Sequence, residues 1–324
     1  MSNISISFII PAYNAGKYIT ECLESFKSFH VDESEIVVVN DGSTDNTREL
    51  VEKAALKDER IRLITVPNGG VSRARNSGLE VSRGRYIMFL DADDYLIEST
   101  FDDLISLIDT GSTEFAAFSR LIVGEGKESR NDGFSFDKES TSDKSDIDRI
   151  MFADSHFNEC WGKLYKREII DRYDIRFPNG VPIGEDLMFV MEYYSHCTEV
   201  FACNKPLVAY RQHGESAMRR YSVSDRLKYT QDLFDFTKKY IPKDITSDFW
   251  FYNFKVLTNL CREYSRTVDV EAIKCIYFSD MTGEVINSLK RTDIPKSRWH
   301  EYFMMRFKLN RISALYYRAK NSLL

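Results

Sequence analysis

Asp91-Ala92-Asp93-Asp94 sets three carboxylates in four residues, directly after the apolar run Tyr86 to Leu90. Carboxylates that close repel one another, and a hard divalent cation with oxygen ligands offsets the repulsion. One of the acids, Asp94 or a neighbour, suffices to cap a helix predicted from about Ile97. Asp91 and Asp93 then remain for a metal or a nucleotide. Asp41 lies in Asn40-Asp41-Gly42-Ser43-Thr44-Asp45, just past the apolar run Ile36 to Val39. It can accept hydrogen bonds from a base or ribose. Asp-Gly-Ser is also an ordinary turn, with Ser43 or Thr44 capping the next helix. Pro11-Ala12-Tyr13-Asn14 closes another apolar run, and Tyr13 offers a ring face. Gly69-Gly70-Val71-Ser72-Arg73-Ala74-Arg75-Asn76 joins a flexible loop, a helix start and two arginines, which suits an anion or a nucleotide carbonyl. A solvated helix face is the plainer reading of those arginines. Glu185-Asp186 opens the apolar run Leu187 to Val190, where the helix dipole alone favours acids.

These clusters need a scaffold that brings them together. Ser5 to Ile10, Ile36 to Val39, Ile61 to Val66 and Tyr86 to Leu90 read as strands with little polar interruption, as a sheet covered on both faces requires. Helices are predicted over Lys17 to Phe29, Thr44 to Leu56 and Val71 to Ser82. Alternating strands and helices predict an α/β fold, with a mostly parallel sheet flanked by helices, through residue 123. In such a sheet ligands bind beyond the carboxyl ends of the strands, which is where the polar clusters fall. Residues 124–148 hold eight acids and four bases and read as a solvated loop that folds over bound ligand. Beyond it, Asp186 to His196 reads as a helix and Glu199 to Arg211 as two short strands around Pro206. The chain reads as helical from Tyr221 to the end. Neither GxGxxG after the first strand nor GxxxxGK[ST] is present, which counts against dinucleotide oxidoreductases and P-loop NTPases.

The chain has 324 residues, enough for about two domains. Its 43% hydrophobic and 29% charged composition excludes disordered and low-complexity classes. No apolar run approaches the ~18 residues of a membrane span, and the N-terminus does not read as a secretory signal. A net charge of -6 argues against nucleic acid as a partner. Six cysteines without a CxxC pair point away from structural zinc and toward reduced, cytoplasmic thiols.

Taken in order, PAYN, NDGSTD, ARN and LDADD resemble the family 2 glycosyltransferases, enzymes of GT-A fold that use nucleotide-diphospho-sugars. The resemblance is close over residues 4–110 and looser over 155–217. It implies that Pro11, Ala12, Tyr13, Asn14, Asp41, Arg75, Asp91 and Ala92 contact the nucleotide-sugar. It implies that Asp93 binds Mn2+ or Mg2+, with His213 as a further ligand, and that Asp186 is the catalytic base beside Glu185. Trp161-Gly162-Lys163-Leu164-Tyr165-Lys166 resembles the segment beside the acceptor pocket, with Trp161 and Lys163 facing the acceptor. For Trp161, packing in the core is an equal expectation. The implied reaction is inverting transfer of a hexose or N-acetylhexosamine from a UDP-sugar to a glycan or polyprenyl-diphosphate-linked acceptor, in bacterial surface polysaccharide synthesis. The expected domains are 1–217, divided at 123 and 148, and a helical region over 218–324. A sugar-nucleotidyltransferase competes, but residues 1–20 lack the basic, glycine-rich loop a triphosphate needs. A non-catalytic nucleotide-sugar-binding subunit is disfavoured by intact Asp91, Asp93 and Asp186.

From Lys290 to Leu324 there are nine Lys/Arg and two Asp/Glu. The aromatics Trp299, Tyr302, Phe303, Phe307, Tyr316 and Tyr317 lie among them. At helical spacing Arg306 falls beside Trp299 and Phe303, which favours a helix packed on the body over an interfacial one. The basic excess still suits peripheral contact with an anionic membrane at the inner face of the plasma membrane.

Overall fold

The structure, a computed structural model, describes residues 4–31, 33–124, 129–134, 136, 138–153, 157–212, 222–241, 246–266 and 270–321. Contacts divide the chain into two compact units, Met1–Ile150 with His156–Ser216, and Met151–Ser155 with Ala217–Leu324.

In the first unit the strands are β1 (Ile6–Ala12), β2 (Ser34–Asp41), β3 (Ile61–Val66), β4 (Tyr86–Phe89), β5 (Tyr95–Leu96), β6 (Phe115–Val123), β7 (Ser129–Asp132), β8 (Ser140–Thr141), β9 (Lys163–Lys166) and β10 (Val200–Arg211). They form one sheet in the order β3-β2-β1-β4-β9-β6-β10-β5, with β7 beside β6 and β8 beside β10. The pairings β3–β2–β1–β4 are all parallel. β9 then enters antiparallel between β4 and β6. The sheet as a whole is therefore mixed; the expected parallel pattern holds for its N-terminal half. Every residue of β2 and β4 is buried, which is what both-face coverage demands of their apolar runs.

The helices of this unit are α1 (Ile19–Glu24), α2 (Thr47–Ala55), α3 (Val71–Val81), α4 (Phe101–Thr110), α5 (Lys144–Ala153, whose last residues belong to the second unit), α6 (Arg167–Arg172) and α7 (Glu185–Tyr194). α3 lies very close to the sheet. Ala74 packs with Val37 and Val39, and a Cβ added at Gly78 would fall 2.3 Å from Ile9 Cγ2. α1 is shorter than predicted because Phe26 and Lys27 donate to carbonyls three residues back, tightening the chain into turns.

Two expectations fail. Residues 124–148 are not a plain loop. β7 adds to the edge of β6, β8 pairs with β10, and α5 begins at Lys144. Exposed edge strands tolerate the polar side chains that made this segment look unstructured. β10 is one twelve-residue strand, not two. Register shifts on both sides of Pro206 absorb the missing N–H that suggested a break.

The second unit carries α8 (Val223–Thr237), α9 (Thr246–Arg266), α10 (Val270–Tyr277), α11 (Asp280–Ser288), α12 (Trp299–Arg306) and α13 (Asn310–Asn321). α9 is its axis and touches α10, α11 and α13. Phe254, Leu257, Ile273, Tyr277 and Tyr317 fill its core. Glu301 is buried and held by Arg262 at 3.4 Å and Arg298 at 3.3 Å. Among the described residues no helix is long and apolar enough to cross a membrane.

Candidate active site

The first two loops are stapled together where β1 and β2 end. Asn14, at φ +49°, donates its N–H to Ser43 Oγ at 3.0 Å, and Thr44 N–H donates to Asn14 Oδ1 at 2.9 Å. Gly16 N–H donates to Asp45 Oδ2 at 2.9 Å. Asn14 is therefore structural as well as adjacent to the crevice. Tyr13 is 55% exposed and presents its ring. Pro11 sits in β1, and Ala12 is buried there, so it offers a ligand backbone only.

Asp41 ends β2. Its two oxygens accept from Gly69 N–H at 2.8 Å and Gly70 N–H at 2.9 Å, the amides that lead into α3. Gly42 turns the chain at φ +67°, and a Cβ there would fall 2.8 Å from Asn68 N, so only glycine fits. Asp41 thus clamps the β3–α3 loop and keeps further lone pairs on each oxygen.

The chain after β4 gathers the charge. Asp91, Asp93 and Asp94 bring ligand oxygens within 4.8 Å of one another. Asp94 is not a helix cap: α4 starts at Phe101, and Asp94 Oδ1 instead accepts from Arg211 N–H in β10 at 2.9 Å. Its Oδ2 is buried with no hydrogen-bond partner among the described residues. Burial, then Asp91 and Asp93, push its carboxyl well above the usual range. Burial also raises Asp91 to about 6 against the pull of Arg75. Hard oxygen donors, mutual repulsion and an orphaned carboxylate oxygen suit a divalent cation. Ala92 is buried and serves packing. His213, expected as a further ligand, lies outside the described residues.

Arg75 joins this cluster to α7. It is 3% exposed, and its Nη2 donates to Asp91 Oδ1 at 2.9 Å. Its Nη1 donates to Asp186 Oδ1 and lies 3.5 Å from Glu185 Oε1. Cys160 N–H reaches Asp186 Oδ2 at 3.4 Å. Burial, then Asp186, raise the Glu185 carboxyl. Arg75 meets carboxylates here, where the resemblance implied a nucleotide. Arg73 stays exposed, folded over Gly69, with a Cβ on that glycine only 2.3 Å from Arg73 Cδ.

Trp161 and Lys163, expected to face the acceptor, are both buried. Trp161 is 6% exposed and stacks on Tyr210 at 5.4 Å with Arg120 5.9 Å from its ring. Lys163 is 3% exposed and donates to Trp161 O at 3.4 Å; burial lowers its pKa to about 8. Both side chains are used in packing, the alternative weighed for Trp161. Sequence reasoning missed Asp94 as the β10 anchor, and Asn76, whose amide pins Phe177 beneath Arg75. Asn76 was visible as the last letter of ARN; its target, a hundred residues on, was not.

The model of glycosyl transferase family 2 matches residues 7–174, more than half of the chain. The chain belongs to glycosyltransferase family 2. A Bacillus subtilis relative, the uncharacterized glycosyltransferase EpsJ, is 29% identical over 277 residues, covering 80% of this chain and 72% of that protein. TarS of Staphylococcus aureus, a poly(ribitol-phosphate) β-N-acetylglucosaminyltransferase, is 30% identical over 224 residues, 67% of this chain and 38% of that one. The crystal structure of TarS 1–349 with UDP-GlcNAc superposes with a TM-score of 0.72 at 21% identity, over 98% of this chain and 91% of that one. That likeness establishes the GT-A fold. The family 2 enzyme described here is thus a glycosyltransferase, and its candidate site lies at the carboxyl ends of β1, β2 and β4.

Proposed function

We propose that this enzyme transfers a hexose or N-acetylhexosamine from a UDP-sugar, with inversion, to a hydroxyl of a glycan or polyprenyl-diphosphate-linked acceptor. The observation that carries the reading is the convergence of Asp91, Glu185 and Asp186 on one buried arginine, with Asp93 clustered beside Asp91. A TarS structure holding UDP-GlcNAc supports the donor class.

In this reading the acceptor oxygen attacks the anomeric carbon from the face opposite the diphosphate. Asp186 takes the hydroxyl proton, a contribution of roughly 10²–10⁴-fold. The bond from carbon to the diphosphate oxygen breaks, and UDP leaves with the electron pair. Asp93 with Asp91 would hold Mn2+ or Mg2+, which when bound would supply positive charge to the leaving diphosphate. One base therefore suffices, where a glycoside hydrolase needs a second acid for a poor leaving group. Tyr13, Asn14 and Asp41 border the nucleotide, and residues 1–217 form the catalytic part. Screening nucleotide sugars with Mn2+ tests the reading. UDP release from a UDP-sugar supports it, and pyrophosphate release would mark a nucleotidyltransferase.

The helical region over 218–324 is read as a peripheral contact to anionic membrane on the cytoplasmic side. Its support is a set of exposed apolar side chains after α10, after α12 and on α13. Phe307 is 66% exposed and Leu315 68%, with Phe278 and Ile312 also exposed. Lys308 Nζ lies 4.6 Å from the Phe278 ring. Aromatic bodies with basic tips suit a lipid headgroup layer.

A further inference from the structure

α13 is seated by one face and leaves another open. Ser313 and Tyr317 turn inward and are fully buried. At helical spacing Arg311, Ala314, Leu315 and Arg318 share the next face. That face borders a cavity of about 290 Å3, closed by Ser265 at the end of α9 and by Val270 and Ile273 of α10. Ile273 is fully buried, whereas Leu315 is 68% exposed, so the cavity runs from the core of the unit to its surface. The Ser265 hydroxyl donates to the Arg262 carbonyl at 2.6 Å. Apart from the two arginines, the remaining lining among the described residues is aliphatic, with few groups to hold an ordered water.

The arginines supply the opposite chemistry. Both are exposed. They stand two turns apart, about 10 Å along the helix axis. Neither guanidinium has an ion pair or hydrogen bond among the described residues, and no acid lines the cavity there. Guanidinium forks bind phosphate bidentately, while their stems lie along apolar surface. An acidic peptide would leave the aliphatic cavity unfilled. An uncharged acyl chain would leave both cations unpaired. We propose that this cavity binds one anionic phospholipid, with an acyl chain against Ile273 and Leu315 and the head-group phosphate between Arg311 and Arg318. The excess of bases from Lys290 to Leu324 favours such a lipid over a zwitterionic one. The proposal names the lipid for the membrane contact read above and rests on that reading.

The test uses the full chain and two short-chain lipids kept below their micellar concentrations, dihexanoylphosphatidylglycerol and dihexanoylphosphatidylcholine. Binding of each is followed by calorimetry. Saturable binding of the phosphatidylglycerol is expected, about tenfold tighter than of the phosphatidylcholine. Arg311→Gln with Arg318→Gln should abolish that preference, and Ala314→Trp, which fills the cavity, should abolish binding of both lipids. No saturable binding by the parent, or no preference between the head groups, would overturn the proposal. So would either variant binding as the parent does. The double variant changes only exposed side chains, so it decides the matter if Ala314→Trp does not fold by circular dichroism. Sedimentation of the parent with vesicles of phosphatidylcholine and phosphatidylglycerol is run beside these titrations. A parent that sediments but fails the short-chain titration keeps the membrane contact and loses the pocket; one that titrates but stays in the supernatant keeps the pocket and loses the membrane contact.

Discussion

Three aspartates within one turn of chain take different work from their partners. Asp94 is spent on Arg211 N–H, which ties the chain after β4 to the end of β10. Asp91 is spent partly on Arg75. Asp93 completes the oxygen cluster. Asp91→Asn or Asp93→Asn should reduce turnover to near background with the fold intact, because neither lies in the apolar core. EDTA should do the same to the parent, and Mn2+ or Mg2+ should restore it; full activity in EDTA would remove the metal role. That these carboxylates form one oxygen cluster was legible from spacing alone, since three acids in four residues fall within one turn of chain. Its geometry was not. Asp186 stands 111 residues from Arg75, and only the folded chain brings them into contact. Trp161 was equally ambiguous, because an aromatic beside a pocket and an aromatic under it have the same local sequence.

Elements decide how firmly those residues are held. β1, β2, β3 and β4 were readable because burial on both faces forces continuous apolar runs. β9 was not, because Lys163-Leu164-Tyr165-Lys166 is made a strand by β4 and β6 on either side. The close seat of α3 gives one prediction. Gly78→Ala introduces a Cβ 2.3 Å from Ile9 Cγ2 and should destabilise the protein by about 1–3 kcal/mol in denaturant unfolding. Turnover should fall as well, because α3 carries Arg75. β9 gives another. Lys163 titrates near 8 when folded and near 10.4 in an unfolded chain, so the unfolded state binds more protons between those values. Stability from this group should rise with pH across that window and be lost as pH falls through about 8. Lys163→Met should therefore be more stable than the parent at pH 7, by on the order of 1–3 kcal/mol, with the difference shrinking toward pH 10. Equal thermal unfolding of the two proteins across that range would contradict the buried ammonium.

At the scale of the molecule, charge is unevenly distributed. The chain totals -6, while Lys290 to Leu324 carries nine bases against two acids. Exposed Phe307 and Leu315 lie in that same stretch. Sedimentation with anionic liposomes should carry the protein down at low salt, and Phe307→Ser with Lys308→Glu should release it. Recovery of the parent in the supernatant at low salt would reduce the patch to a surface feature. The central claim, that Asp186 draws the proton from the acceptor while UDP leaves, is tested most directly by Asp186→Asn. Its turnover of the UDP-sugar and its affinity for UDP with Mn2+ are measured on one preparation. The account predicts turnover lower by about 10²–10⁴-fold with UDP bound as in the parent. Turnover at the parental rate would contradict it.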